Sequence, residues 1–138
     1  MLFRSKTAPD LDFLVALTPL TPETRGIVGE KVFAAMKPSA FLVNVARGGV
    51  VDEPALIAAL EAGKIAGAGL DVFSQEPLPS DNPLWNTKNV TIFSHLGGYS
   101  QGYEDRAMPT IAGNMAKFLS GDLKSMFNIV RKPASWSN

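Results

Sequence analysis

The sequence contains no cysteine and a single histidine, His95. The first absence excludes a disulfide framework and a thiolate zinc site, and with one histidine metal catalysis has too few ligands to work with. Neither sign of charge prevails. Thirteen basic side chains balance thirteen acidic ones, so no electrostatic footprint points to DNA, RNA or an anionic membrane surface. No apolar run approaches the roughly 20 residues of a membrane span, and the N-terminus lacks the basic region, apolar core and cleavage site of a signal peptide. Internal repeats are absent as well. These absences leave a cytoplasmic domain with no nucleic-acid or membrane partner as the expectation. Its 138 residues suffice for a real core, since a chain of this size buries about 70% of its unfolded surface.

What is present alternates between short apolar runs and helical patterns. Residues 1–9 carry no period and read as loop. Phe13 to Leu17 (FLVAL) is a continuous apolar run, of the kind that forms a strand buried on both faces of a parallel sheet. In the turn that follows, Thr21 is placed to cap a short helical turn with Pro22 at its first position. Glu30 to Met36 reads as helix, stopped by Lys37-Pro38, and Phe41 to Val45 as a second buried strand. Asp52 caps the next helix, with Leu56, Ile57 and Leu60 inward and Gly63 closing it. Ile65 to Val72 is a third strand, whose Gly67 and Gly69 leave room for a close neighbour. Ser74 to Asn89 is loop, and Val90 to Phe93 a short fourth strand. A last helix reaches Leu119 with Met108, Ile111, Ala112, Met115, Phe118 and Leu119 along one buried face. Gly121 ends it, and Pro109 implies a kink or a late start. Residues 1–130 are thus expected as one α/β unit with its C-terminal helix, and residues 131–138 as a flexible tail.

Strands alternating with helices imply a parallel sheet with right-handed crossovers, so the four strands end on one edge. That edge collects Thr18-Pro19, Arg47-Gly48-Gly49, Asp71, and His95 with Gly97-Gly98. Ligands of open α/β sheets bind at such edges. Arg47 offers a permanently charged planar fork for a carboxylate, or it pairs with a structural carboxylate at a strand end. His95 can exchange a proton near neutral pH, or it is a hydrogen-bonded structural residue. Glu76 can orient that imidazole and favour its charged form, or it is solvated surface. Asp71 can accept from a ligand amide, or it caps a turn. A cation, an acid and a carboxylate to orient the acid are together what reduction of a 2-keto acid requires.

Four motifs, LTPLTPETRGIVG, NVARGGVVDEPAL, GAGLDVFSQEPLP and NPLWNTKNVTIFSHLGG, strongly resemble the D-2-hydroxyacid dehydrogenase family, in order from about Asp12 to Val130. The resemblance implies part of a Rossmann-like doubly wound parallel sheet of about four strands with a long C-terminal helix. It implies Arg47, Glu76 and His95 as the catalytic set. It further implies NAD or NADP contacts at Pro19, Thr24, Val45, Ala46, Arg47, Asp71, His95, Gly97 and Gly98, with no metal, Asp71 taking the nicotinamide amide. Two positions depart from the family pattern: Ser94 stands where proline is usual, and Pro109 lies in the terminal helix.

The largest departure is the absence of the G-x-G-x-x-G turn and of the charged selector about 20 residues after it. The chain resembles only the second half of the cofactor domain plus its return helix. Phe13 to Leu17 is then expected as an unpaired sheet edge that invites self-association into a homo-oligomer. Two functions of different class follow from the resemblance. One is a segment of an NAD(P)-dependent reductase of glyoxylate or hydroxypyruvate, expected to be inactive alone. The other is a non-catalytic remnant or interaction module that keeps the fold.

Overall fold

Residues 8–129 are described by the computed structural model, in two compact units that meet in sequence between Gly98 and Tyr99. The expectations for residues 1–7 and for the tail from Val130 onward lie outside the described residues. The first unit is built on four strands: β1 (Phe13–Ala16), β2 (Phe41–Asn44), β3 (Gly67–Leu70) and β4 (Val90–Ile92). They pair in parallel in the order β1-β2-β3-β4. Helix α1 (Glu30–Ala35) joins the first two strands and α2 (Glu53–Glu61) the next two. The connection to β4 has no α-helix, only a 3-10 turn at Pro83–Trp85 whose Leu84 is buried. This is the expected α/β, Rossmann-like sheet, with strands one to four residues shorter than the apolar runs that announce them. Ala8 and Pro9, read as loop, belong to a 3-10 turn over Ala8–Asp10.

Register explains which face is core. Leu14, Leu42, Ala68 and Val90 lie in one row, and Ala16, Asn44, Leu70 and Ile92 in the next row of the same face. The apolar residues of these rows pack with Val32, Phe33, Leu56 and Leu60 of α1 and α2. The opposite face carries Phe13, Phe41 and Gly67, then Val15, Val43, Gly69 and Thr91. It is open: Phe13 is 63% and Val15 48% exposed. The expectation that FLVAL is buried on both faces is therefore corrected. Both intervening helices pack against the other face, and among the described residues β1 has a neighbour on one side only. Phe13 and Phe41 stack with ring centroids 5.8 Å apart, and the Phe41 ring lies over Gly67, where a Cβ would come within 2.9 Å of it.

Asp52 caps α2 as its position implies, accepting the Ala55 amide at 3.1 Å, and Gly63 takes the left-handed conformation just past the helix end. Thr21 caps no helix. Its carbonyl accepts the Thr24 and Arg25 amides, closing a single hydrogen-bonded turn.

The second unit holds α3 (Tyr103–Ser120), closed by left-handed Gly121. The segment after it folds back along the helix. Asn114 donates to the Phe127 carbonyl at 2.8 Å and accepts the Phe127 amide at 3.2 Å. The helix runs through Pro109 from Tyr103, so its start is not delayed. No residue of α3 is buried, and Met108, Ile111, Met115, Phe118 and Leu119 are all more than half exposed, which corrects the expected buried face. Within this unit one short returning segment is too little to cover a stripe that spans about three turns.

Candidate functional site

The C-terminal ends of the four strands are laced to one another. After β1, the turn from Pro19 is organised by Thr24, whose hydroxyl donates to the Pro19 carbonyl at 2.6 Å and accepts the Thr21 amide at 2.7 Å. That turn joins the loop after β2 through the Gly26 amide, which donates to the Gly49 carbonyl at 2.9 Å. The loop after β2 in turn touches the loop after β3. A Cβ built on Gly48 would overlap the Phe73 carbonyl and the Ser74 nitrogen, so only glycine permits this approach. The loop after β3 reaches the one after β4 through two carboxylates, Asp71 and Glu76.

Asn44, the last residue of β2, is 1% exposed and buried on the helix side. A buried amide must find partners. Its Oδ1 accepts the Ala46 amide and its Nδ2 donates to the Arg47 carbonyl, each at 3.2 Å. These bonds shape the turn that presents Arg47. The guanidinium is exposed and donates to the Ala46 carbonyl at 2.6 Å. Among the described residues it makes no ion pair, so the reading of Arg47 as half of a structural pair is not what the geometry shows.

Asp71 is 5% exposed at the end of β3. Its two oxygens each accept a backbone amide, from Leu96 and from Gly97, both at 2.7 Å. The turn-capping alternative is thus realised, across sequence rather than locally. Gly97 is required there, because a Cβ would sit 2.8 Å from the Asp71 carboxylate. The clasp holds a strained residue: His95 has φ +58°, left-handed backbone that costs an L-residue roughly 1–2 kcal/mol. Two charge-assisted bonds at about 1.5–3 kcal/mol each outweigh that cost.

Turned this way, His95 meets Glu76, with Nδ1 and Oε2 2.8 Å apart. An ionised carboxylate only accepts, so Nδ1–H is the donor and Nε2 is left free. The other Glu76 oxygen accepts the Phe73 amide at 2.9 Å. That amide first, and the His95 ring second, hold the Glu76 carboxyl below its ordinary range, with Arg47 adding a smaller push of the same sign. Glu76 therefore stays an anion that accepts the Nδ1–H of His95. Beside the pair lies an open cavity of about 530 Å³, walled by Phe73, Leu78, Trp85, Ile92 and Phe93.

The structure brings Arg47, Asp71, Glu76, His95, Gly97 and Gly98 to one edge with Val45 and Ala46, and sets Pro19 and Thr24 in the adjoining turn. Val45 is exposed there, and a Cβ on Gly98 would meet nothing, so a flat ring has room to approach. Each Asp71 oxygen retains a second lone pair for a ligand N–H. One contributor escaped the sequence reading: Asn44, the polar end of an apolar strand run, whose bonds are to backbone groups and leave no pattern along the chain.

Residues 5–97 match the family model for the D-isomer specific 2-hydroxyacid dehydrogenase NAD binding domain. Over 113 residues the chain is 46% identical to glyoxylate/hydroxypyruvate reductase B of Pectobacterium carotovorum, which covers 82% of this chain and 35% of that protein. Among solved structures, the NADPH-dependent glyoxylate/hydroxypyruvate reductase of Sinorhizobium meliloti, in complex with NADP and malonate, superposes with a TM-score of 0.73. It is 36% identical, over 83% of this chain and 35% of that one. D-mandelate dehydrogenase of Rhodotorula graminis gives a TM-score of 0.76 at 37% identity, over 83% of this chain and 33% of that one. The chain spans about a third of the length of the curated relatives it matches.

Proposed function

We infer that this chain, which belongs to the D-isomer specific 2-hydroxyacid dehydrogenase family through its NAD binding domain, supplies the nicotinamide side of a reductase of small 2-keto acids. Glyoxylate and hydroxypyruvate are the substrates proposed, from the names of its relatives. The observation that carries the reading is the His95–Glu76 pair on the same sheet edge as Arg47, which makes no ion pair among the described residues. NADH or NADPH, when bound, supplies the hydride. Arg47 receives the substrate carboxylate and polarises the neighbouring carbonyl. His95 gives the proton on Nε2 to the carbonyl oxygen as it becomes an alkoxide, and Glu76 stabilises the imidazolium until that transfer. The product is the 2-hydroxy acid. Pro19, Thr24, Val45, Ala46, Asp71, Gly97 and Gly98 line the cofactor's path, with the reaction placed in the cytoplasm.

No G-x-G-x-x-G turn occurs in these 138 residues, so the dinucleotide phosphates are held by residues outside them. The same proposal includes association through the edge strand β1, because Phe13, Val15 and Leu17 present an exposed apolar border beside backbone groups that no strand among the described residues pairs. The second function, an interaction module without catalysis, draws on that border alone.

The deciding experiment is amide chemical-shift mapping of the purified chain with reduced nicotinamide mononucleotide, which lacks the adenylate half, followed by NADPH. Weak saturable shifts at Val45, Ala46, Gly97 and Gly98 are expected, with turnover of glyoxylate by the chain alone slow or absent. If millimolar ligand moves none of these amides, the reductase reading fails and the interaction module takes its place.

A further inference from the structure

Two glutamates hold adjacent amides of one loop. Glu76 accepts the Phe73 N–H at 2.9 Å, and Glu53 accepts the Ser74 N–H at 2.5 Å. Glu53 comes from a different element, the first position of α2, directly after the Asp52 cap. From this juxtaposition we propose that Glu53 is a positioning residue: by tying Ser74 to α2 it fixes the turn that aims Glu76 at His95. The inference rests on the reading of Glu76 and His95 as the acid pair.

The physical need is visible in the turn itself. Ser74, Gln75, Glu76 and Pro77 are all exposed, so no buried side chain dictates their arrangement. Polar contacts must. Glu76 commits one oxygen to its own turn and the other to the imidazole, so any loosening of the turn moves the oxygen that orients the ring. The Phe73-Ser74 backbone abuts Gly48 closely enough that a Cβ there would collide with it. The Glu53 bond fastens that contact from the side of α2. It thereby links the loop bearing Arg47 to the loop bearing Glu76.

An ordinary structural role competes with this one, since an acidic residue in the first turn of a helix interacts favourably with its N-terminal partial charge. That role depends on charge, whereas positioning depends on reach. Glu53→Asp keeps the charge and is one methylene too short for Ser74. Glu53→Gln loses the charge and keeps an acceptor at full reach.

The single histidine makes the readout unambiguous. In ring ¹H–¹⁵N spectra of the full chain, the Nδ1 proton bonded to Glu76 gives one downfield resonance, whose loss in Glu76→Ala serves as the reference. Glu53→Asp is expected to lose that resonance while Glu53→Gln keeps it. Glu53→Ala is a second variant without reach, also expected to lose it. Retention of the resonance in either folded variant without reach, or its loss in Glu53→Gln, overturns the proposal. The measurement needs neither cofactor nor turnover. A chain that fails to bind nicotinamide can still pass it, and failure here leaves the proton chemistry assigned to His95 standing.

Discussion

Replacing Asp71 by asparagine tests how the site is held together. The aspartate is nearly fully buried and each oxygen accepts one amide, from Leu96 and Gly97, at 2.7 Å. In Asp71→Asn one oxygen becomes an NH2 group, which faces an N–H it cannot accept. At least one charge-assisted bond is lost, worth about 1.5–3 kcal/mol, while the size of the side chain is preserved. The loss falls on a loop, and a loop opens locally before the sheet does. Amide hydrogen exchange is therefore the assay. The opening free energy converts to exchange about 10- to 100-fold faster at Leu96 and Gly97, since about 1.4 kcal/mol corresponds to tenfold. Core strand amides such as Val43 exchange at their former rate. His95, no longer held at φ +58°, relaxes toward ordinary backbone, and its contact with Glu76 weakens in the same variant. Should the Leu96 and Gly97 amides exchange within threefold of the parent rate, the clasp carries no energy and the account of His95 is wrong.

Leu42 is fully buried at the centre of the sheet, so Leu42→Ala is expected to cost about 2–5 kcal/mol, read as a lower urea midpoint at unchanged slope. A loss of less than a quarter of that energy would mean the core is centred elsewhere. Glu76 has a folded-state pKa below its unfolded value, held there by the Phe73 amide and then by His95. Its contribution is therefore present above the unfolded carboxylate range and fades as pH falls through the lower folded value. Glu76→Gln should flatten that acid limb of stability against pH, and an unchanged limb would refute the coupling. Phe13→Lys places a charge on the exposed border of β1, and sedimentation velocity should show less self-association than in the parent chain. Equal sedimentation of the two would remove β1 as the contact.

Much of this architecture was legible because parallel strands betray themselves as apolar runs closed by glycine or proline. FLVAL, FLVNV and the run ending in LDVF each mark a strand of the observed sheet, and the parallel pairing brings their polar followers to one edge. Gly63 and Gly121 were legible for a steric reason, since both sit at positive φ past a helix end. Burial was less legible. Hydrophobic spacing in α3 and in β1 shows that a face is apolar, but not that anything within the chain covers it. Periodicity reports what a surface is suited to, and only the number of layers present decides whether it is met.

The same distinction separates the residues proposed to react from those that hold them. Arg47 and His95 could be named from the sequence because their chemistry is intrinsic to the side chain. Asn44, Glu53 and the clasping role of Asp71 could not, because each acts on a backbone amide or carbonyl that any residue type would offer. Asp71 lies 25 residues from Leu96 and Glu53 lies 21 from Ser74. Such bonds leave no pattern along the chain. They are nevertheless what sets the geometry: Asn44 shapes the Arg47 turn, Asp71 imposes the backbone of His95, and Glu53 steadies the turn of Glu76. A substitution that keeps Arg47, Glu76 and His95 while breaking one of these three supports should therefore remove the arrangement and leave the functional motifs intact in sequence.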